Sequence, residues 1–232
     1  MNVQTKSFIP AQVTYPDSDG QPMADNTKQF RWITTLQGNL DAIFRHDPNV
    51  FVAGDLLWYP VEGDNQTRNA PDVMVVFGRP KGDRGSYQQW KEEHVAPQVT
   101  FEVLSPGNRL ADLVRKFKFY EQYGVEEYYV YDPDRNELEG WIRRGEALEE
   151  IPELNGWVSP RLGIRFELTA DDLHLYALDG RPFATYTELF EQREHEHQRA
   201  EQEHQRAERE HQRAERLEAQ LRDLGVNPEP DS

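Results

Sequence analysis

The chain of 232 residues contains no cysteine. Disulfides, thiolate metal sites and thiol nucleophiles are therefore excluded. Nothing in the sequence approaches the ~20 consecutive apolar residues of a membrane span. The N-terminal stretch MNVQTKSFIP lacks the basic-then-apolar pattern of a signal peptide. A soluble cytoplasmic protein with no membrane partner is the expectation. An excess of positive charge is also missing, since 26 Lys and Arg face 42 Asp and Glu, for a formal charge of −16. Residues 191–232 hold 7 of the cations and 12 of the acids. The acidic excess therefore lies mostly in the body of the chain. Non-specific nucleic-acid binding runs on cationic contacts to phosphate, so this body is not a broad polyanion binder. A local basic groove or a metal-bridged phosphate is still compatible with it. The HExxH motif is absent, no two histidines stand four residues apart, and Ser105 lacks the nucleophile-elbow pattern.

Aromatic residues, at 11%, and abundant Val, Ile and Leu point to a globular body. The length suits one domain of roughly 180–190 residues plus an appendage. Residues 1–25 read as a polar, Pro/Gly-containing arm and residues 26–186 as the folded domain. Asn26 or Thr27 is placed to cap a helix running to about Arg45, with an apolar stripe of Phe30, Ile33, Leu36, Leu40, Ile43 and Phe44. Val50–Tyr59 reads as a strand with Asp55 in its middle, and Val73–Gly78 as a short strand covered on both faces. Residues 79–97 form a long charged loop with one helical turn near 86–92. In it Lys81, Arg84, Trp90 and Lys91 are interleaved with Asp83, Glu92 and Glu93, which favours a solvated loop over a nucleic-acid contact. A strand follows over 98–104, then a helix from about Arg109 to Gly124. Glu127–Tyr131 and Glu137–Arg143 read as a hairpin, and weaker strands as lying near 148–151, 157 and 164–167. Strand, helix and strand over 98–131 fit a crossover with a parallel pair. The fold class is α/β or α+β, a mixed sheet with one main helix on each side.

Residues 187–225 differ in kind. EHQRAEQ, EHQRAER and EHQRAER recur with period seven, aligning His197, His204 and His211 and likewise Ala200, Ala207 and Ala214. A long charged helix is expected, capped near Gly225 and followed by a disordered tail at 226–232. Two readings stay open for it: a coiled coil, through which a protein partner would be recruited, or a lone solvated helix held by i,i+4 Glu–Arg contacts.

The chemistry gathers at 97–124. Glu102 lies in a strand of Val, Phe and Leu, where a carboxylate needs an ion pair, a metal or a catalytic role. Asp72 lies in a second hydrophobic strand. Asp112, Lys116 and Tyr120 follow at four-residue steps and share a helix face. Two carboxylates on strands suit Mg²⁺ or Mn²⁺, with the Val103 backbone carbonyl as a further oxygen ligand. A neighbouring lysine suits the orientation of an attacking water or stabilisation of developing negative charge. Asp55 is a candidate third acid. Asp112 and Tyr120 are candidate supporting residues. For Asp112 the alternative is a first-turn acid favoured by the helix dipole, and for Tyr120 it is packing.

The run PDVMVVFG…VTFEVLSPGN…DxxxKxxxYxxxGVEEYYVYDP resembles the Uma2 (DUF820) endonuclease family, a branch of the PD-(D/E)xK restriction-endonuclease-like superfamily. The resemblance covers about residues 26–180 and is strongest over 70–133. It implies a mixed-sheet nuclease core, divalent-metal binding and hydrolysis of DNA phosphodiesters. Pro71–Asp72 matches the motif's Pro-Asp and Glu102 its second acid. Leu104 stands where the motif's lysine belongs, and Lys116 resembles a migrated replacement. Asp55 aligns loosely with an upstream acid. Restriction-type nucleases often work as pairs, so a homodimer is implied by analogy. The rival expectation is a catalytically inactive nuclease-fold module that binds nucleic acid or protein and assembles through its C-terminal helix.

Overall fold

In a computed structural model, the structure of the chain is described for residues 13–18, 20 and 22–223. The first part of the arm, the cap expected at Gly225 and the tail at 226–232 lie outside the described residues. The chain forms two compact units, Met1–Phe183 and Ala184–Ser232.

The first unit is built on a six-stranded sheet in the order β1-β3-β5-β6-β7-β8. Its strands are β1 (Val50–Gly54), β3 (Val73–Phe77), β5 (Val99–Val103), β6 (Glu127–Asp132), β7 (Glu137–Arg144) and β8 (Ala147–Glu150). Within this sheet β5 and β6 pair in parallel, through the crossover helix α2 (Leu110–Tyr123), and the other neighbours are antiparallel. The sheet is therefore mixed, as the strand–helix–strand order implies. Two small ribbons flank it: β2 (Trp58–Tyr59) with β4 (Tyr87–Gln88), and β9 (Arg165–Leu168) with β10 (Leu173–Tyr176).

Alternation along the strands sorts two cores. Val73, Val75, Val99, Phe101, Val103, Tyr129 and Tyr131 pack with Ile33, Leu36 and Leu40 of α1 (Thr27–Ile43) and with Phe166 of β9. Met74, Val76, Tyr128 and Val130 face the opposite way, towards Tyr120 and Phe117 of α2. Full burial of aliphatic side chains such as Ile33 and Leu40 contributes roughly 1.5–3 kcal/mol each. Asn26 caps α1, its Oδ1 accepting the Gln29 N–H at 2.9 Å. α2 ends at Gly124, whose φ of 93° is open to glycine at little cost.

Several local expectations are corrected. The strand over Val50–Tyr59 is two, because the chain turns at Asp55, where φ is 47° and the ladder cannot continue. The turn near 86–92 is β4 followed by a 3₁₀ turn, Gln89–Lys91. The buried stripe of α1 begins at Gln29, whereas Phe30 is half exposed. Strand β10 has no counterpart in the sequence reading. The described part of the arm is pinned: the Tyr15 ring meets Tyr59 and Trp90, and the Tyr59 hydroxyl donates to the Pro16 carbonyl at 2.7 Å. Glu127, buried on the α1 face, accepts from the Ser159 and Tyr129 hydroxyls and the Arg161 N–H, which anchors the 157–165 segment to β6.

Candidate active site

Side chains alternate along a strand, so Asp72 falls on the face of Met74 and Val76, and Glu102 on the face of Thr100. Both acids therefore look toward α2. β3 and β5 pair from Val73↔Phe101 onward, and where this ladder stops the Asp72 carboxylate takes over: Oδ2 accepts the Val103 N–H at 2.7 Å. Glu102 is only 3% exposed. Its two oxygens are gripped by consecutive turns of α2. Lys116 Nζ donates to Oε2 at 2.6 Å and the Tyr120 hydroxyl to Oε1 at 2.5 Å. The i,i+4 spacing of Lys116 and Tyr120 makes this double grip possible.

The electrostatics follow from burial. The Asp72 carboxyl is pushed up to about 8, first by desolvation and then by the Glu102 charge, with Asp55 adding to it. The Lys116 charge and the Val103 N–H oppose the rise. Burial works against the Lys116 ammonium, but the charges of Glu102 and Asp72 outweigh it and hold the group above its ordinary range. Lys116 is thus a fixed cation at neutral pH rather than a proton acceptor. The Tyr120 phenol is raised, first by burial and then by Glu102, so it stays a donor.

The residues singled out in the sequence separate into those the fold gathers and those it does not. Asp72, Glu102, Lys116 and Tyr120 converge. Asp55 sits at the turn after β1, its N–H donating to the Asp72 carbonyl at 3.2 Å, within electrostatic reach of Asp72 and Lys116. Among the described residues, no group of three His, Cys, Asp or Glu side chains is arranged to hold a metal ion. Asp112 points elsewhere, pairing with Arg115 at 2.9 Å. The Val103 carbonyl already accepts from Gln29 Nε2 at 2.7 Å, which leaves it one further lone pair. Ser105 is a turn residue, its hydroxyl donating to Asp25 Oδ2 at 2.5 Å. Two of the loop cations are spent on acids of the chain: Arg84 on Glu92 at 2.6 Å and Lys81 on Asp41 at 2.7 Å, while Lys91 is exposed. Arg109, Arg115 and Lys118 of the α2 segment are exposed.

Gln29 is the residue that sequence reasoning missed. It is 6% exposed and ties the Asp25 N–H to the Val103 carbonyl through its amide. Its signal is positional. A glutamine four residues before Ile33 lies on the buried stripe of α1, where an amide needs partners.

The sequence profile of Uma2, described as "Putative restriction endonuclease", matches residues 11–173. The chain belongs to the Uma2 family. No curated protein matches it. Among solved structures, one described as a putative nuclease belonging to DUF820, from Anabaena variabilis, is 15% identical with a TM-score of 0.44. The match covers 58% of this chain and 72% of that one. For this Uma2 member, membership makes a restriction-endonuclease-like nuclease the coarse functional class. No helix among the described residues is long and apolar enough to cross a membrane.

Proposed function

We propose that the chain is a divalent-metal-dependent DNA endonuclease that hydrolyses phosphodiester bonds at Asp72, Glu102 and Lys116. The observation that carries this reading is the pair of buried carboxylates on one sheet face, one of them lifted to about 8 by burial and by the other's charge. Two acids held this way suit a hard cation, which would relieve their repulsion. Asp72 and Glu102 would hold Mg²⁺ or Mn²⁺, with the free lone pair of the Val103 carbonyl as a further oxygen. When bound, the ion supplies Lewis-acid polarisation of a phosphate and a more acidic water. Lys116, held protonated, stabilises negative charge developing on the phosphate oxygens. Tyr120 fixes Glu102 in orientation. Arg109, at the head of the same helix, and Lys118, within it, offer exposed cations for the DNA backbone. Cutting both strands of a duplex calls for two such sites, hence a homodimer, which sedimentation at micromolar concentration checks. The central test is plasmid cleavage with Mn²⁺ by the purified protein beside Asp72→Ala. Loss of cutting in the variant supports the site, and equal cutting by both removes it.

A second reading is favoured by one observation: both Glu102 oxygens already have donors. On this reading the chain is a catalytically inactive nuclease-fold module. Calorimetric titration with Mn²⁺ separates the two. Heat that disappears in Asp72→Ala and Glu102→Gln belongs to a working metal site, and absence of any such heat belongs to the inactive module.

A further inference from the structure

Helix α3 (Tyr186–Asp223) runs for 38 residues and buries none of them. The repeat gives it a seam. His197, His204 and His211 alternate with Ala200, Ala207 and Ala214 at steps of three and four. Exposed Phe190, seven residues before His197, and Leu221, seven after Ala214, keep the same phase, while Arg193 and Glu218 occupy the intervening seam positions and bound the His/Ala stretch. Such a stripe has the three-and-four spacing of a coiled-coil contact face. Alanine and histidine bury little apolar area, so the residues beside the seam decide the partner. Those residues are uniformly acidic through the repeats. Glu201, Glu208 and Glu215 each follow a seam alanine, and Glu196, Glu203 and Glu210 each precede a seam histidine.

A second copy of α3 fits this face poorly. In a parallel pair the two flanks of opposite helices face each other, and in an antiparallel pair like flanks meet. Either way, glutamate meets glutamate. Little within the helix offsets this. Arg206 reaches Glu210 at 3.1 Å from behind the seam. Among the described residues, the ion-pair partners of Glu208 and Glu215 are His204 and His211, at 3.9 and 3.8 Å. The arginines Arg199, Arg206 and Arg213 lie on the far side from the seam. Acidic flanks on both sides are thus attractive to one charge class and repulsive to the helix's own copy.

We propose that α3 is a docking helix for a partner helix carrying Lys or Arg at both seam-flanking positions, and not for a second copy of itself. The test uses the full chain and three synthetic helical peptides at neutral pH. One has an alanine/leucine seam flanked by lysines, one the same seam flanked by glutamates, and one the basic composition in scrambled order. Fluorescence anisotropy is expected to show binding of the ordered basic peptide about tenfold tighter than either control, and weakening in high salt. The full-chain variant Glu201→Lys/Glu203→Lys/Glu208→Lys/Glu210→Lys is expected to reverse the preference to the acidic peptide. Sedimentation of the full chain is expected to be unchanged by Ala200→Arg/Ala207→Arg/Ala214→Arg. Failure to bind the ordered basic peptide, equal binding of the scrambled one, no reversal in the charge-swapped variant, or an oligomer lost on seam substitution each overturns the proposal.

Discussion

The Tyr120 hydroxyl donates to Glu102 Oε1 at 2.5 Å, from a ring that is itself fully buried. That ring also lies edge-on to Tyr128 and parallel to Trp58. The hydroxyl and the ring can therefore be separated by substitution. Tyr120→Phe is expected to keep the packing and cost about 1–2 kcal/mol in urea unfolding, the cost of leaving one carboxylate oxygen unpaired. Mn²⁺ affinity should fall with it, while Tyr120→Ala should cost about 3–5 kcal/mol through the cavity alone.

Asp72 makes metal-free stability depend on pH. Its carboxyl titrates at about 8 in the folded chain, against about 3.9 when unfolded. Between these values the folded state holds a proton that the unfolded state has lost. Asp72's contribution to stability is therefore full at acid pH, declines as pH rises through this window, and flattens above about pH 8. Asp72→Asn should shrink the decline, leaving the part due to buried Glu127, and be more stable than the parent at about pH 8.5 by roughly 2–4 kcal/mol. Thermal melts in chelator at about pH 5 and about pH 8.5 check this, and Mn²⁺ should restore the parent alone.

Lys116 and Glu102 form a pair closed off from water on the carboxylate side. Lys116→Met strands the carboxylate and should destabilise by about 3–5 kcal/mol. Lys116→Met/Glu102→Gln should recover most of that loss without recovering DNA cleavage. A double-mutant cycle in denaturant, run beside the cleavage assay, measures both.

Gln29 acts on the site through main chain. Gln29→Leu leaves the Asp25 N–H and the Val103 carbonyl without this partner, and should cost about 1–2 kcal/mol. Mn²⁺ binding by calorimetry should weaken less than in Asp72→Ala, because no charge is removed.

Gly140 provides a control outside the site. A Cβ there would stand 3.0 Å from the Tyr129 ring and 3.1 Å from Leu154. Gly140→Ala should therefore destabilise by about 1–3 kcal/mol through overpacking, and its Mn²⁺ titration should match the parent's.

Much of this architecture is legible in the chain because local patterns and global packing agree. The stretch 97–124 announces itself: an acid inside an apolar strand, a Ser-Pro-Gly-Asn turn, then a lysine and a tyrosine at helical spacing. Asp72 on a second all-apolar strand completes the face, since parity along each strand decides which way an acid points. What escapes is set by contacts between distant segments. Nothing local to Gln29 reveals that its amide meets Val103, 74 positions away. Asp112 has the right spacing, but Arg115 one turn on offers it a nearer partner in solvent. The break at Asp55 is hidden because a positive φ is a demand of the tertiary fold, here of the Asp72 carbonyl that receives its N–H. Strand β10 contains alternate buried leucines, Leu173 and Leu175, but it is too short for periodicity to stand out.

Val103 gives its N–H to Asp72 and its C=O to Gln29, while its side chain lies in the α1 core. Position 103 thus serves the site anonymously. Its side chain is free to drift among apolar shapes that satisfy the core, and the peptide link alone carries the geometry. Proline is the one apolar choice barred there on chemical grounds, because it would silence the donor that keeps Asp72 in place.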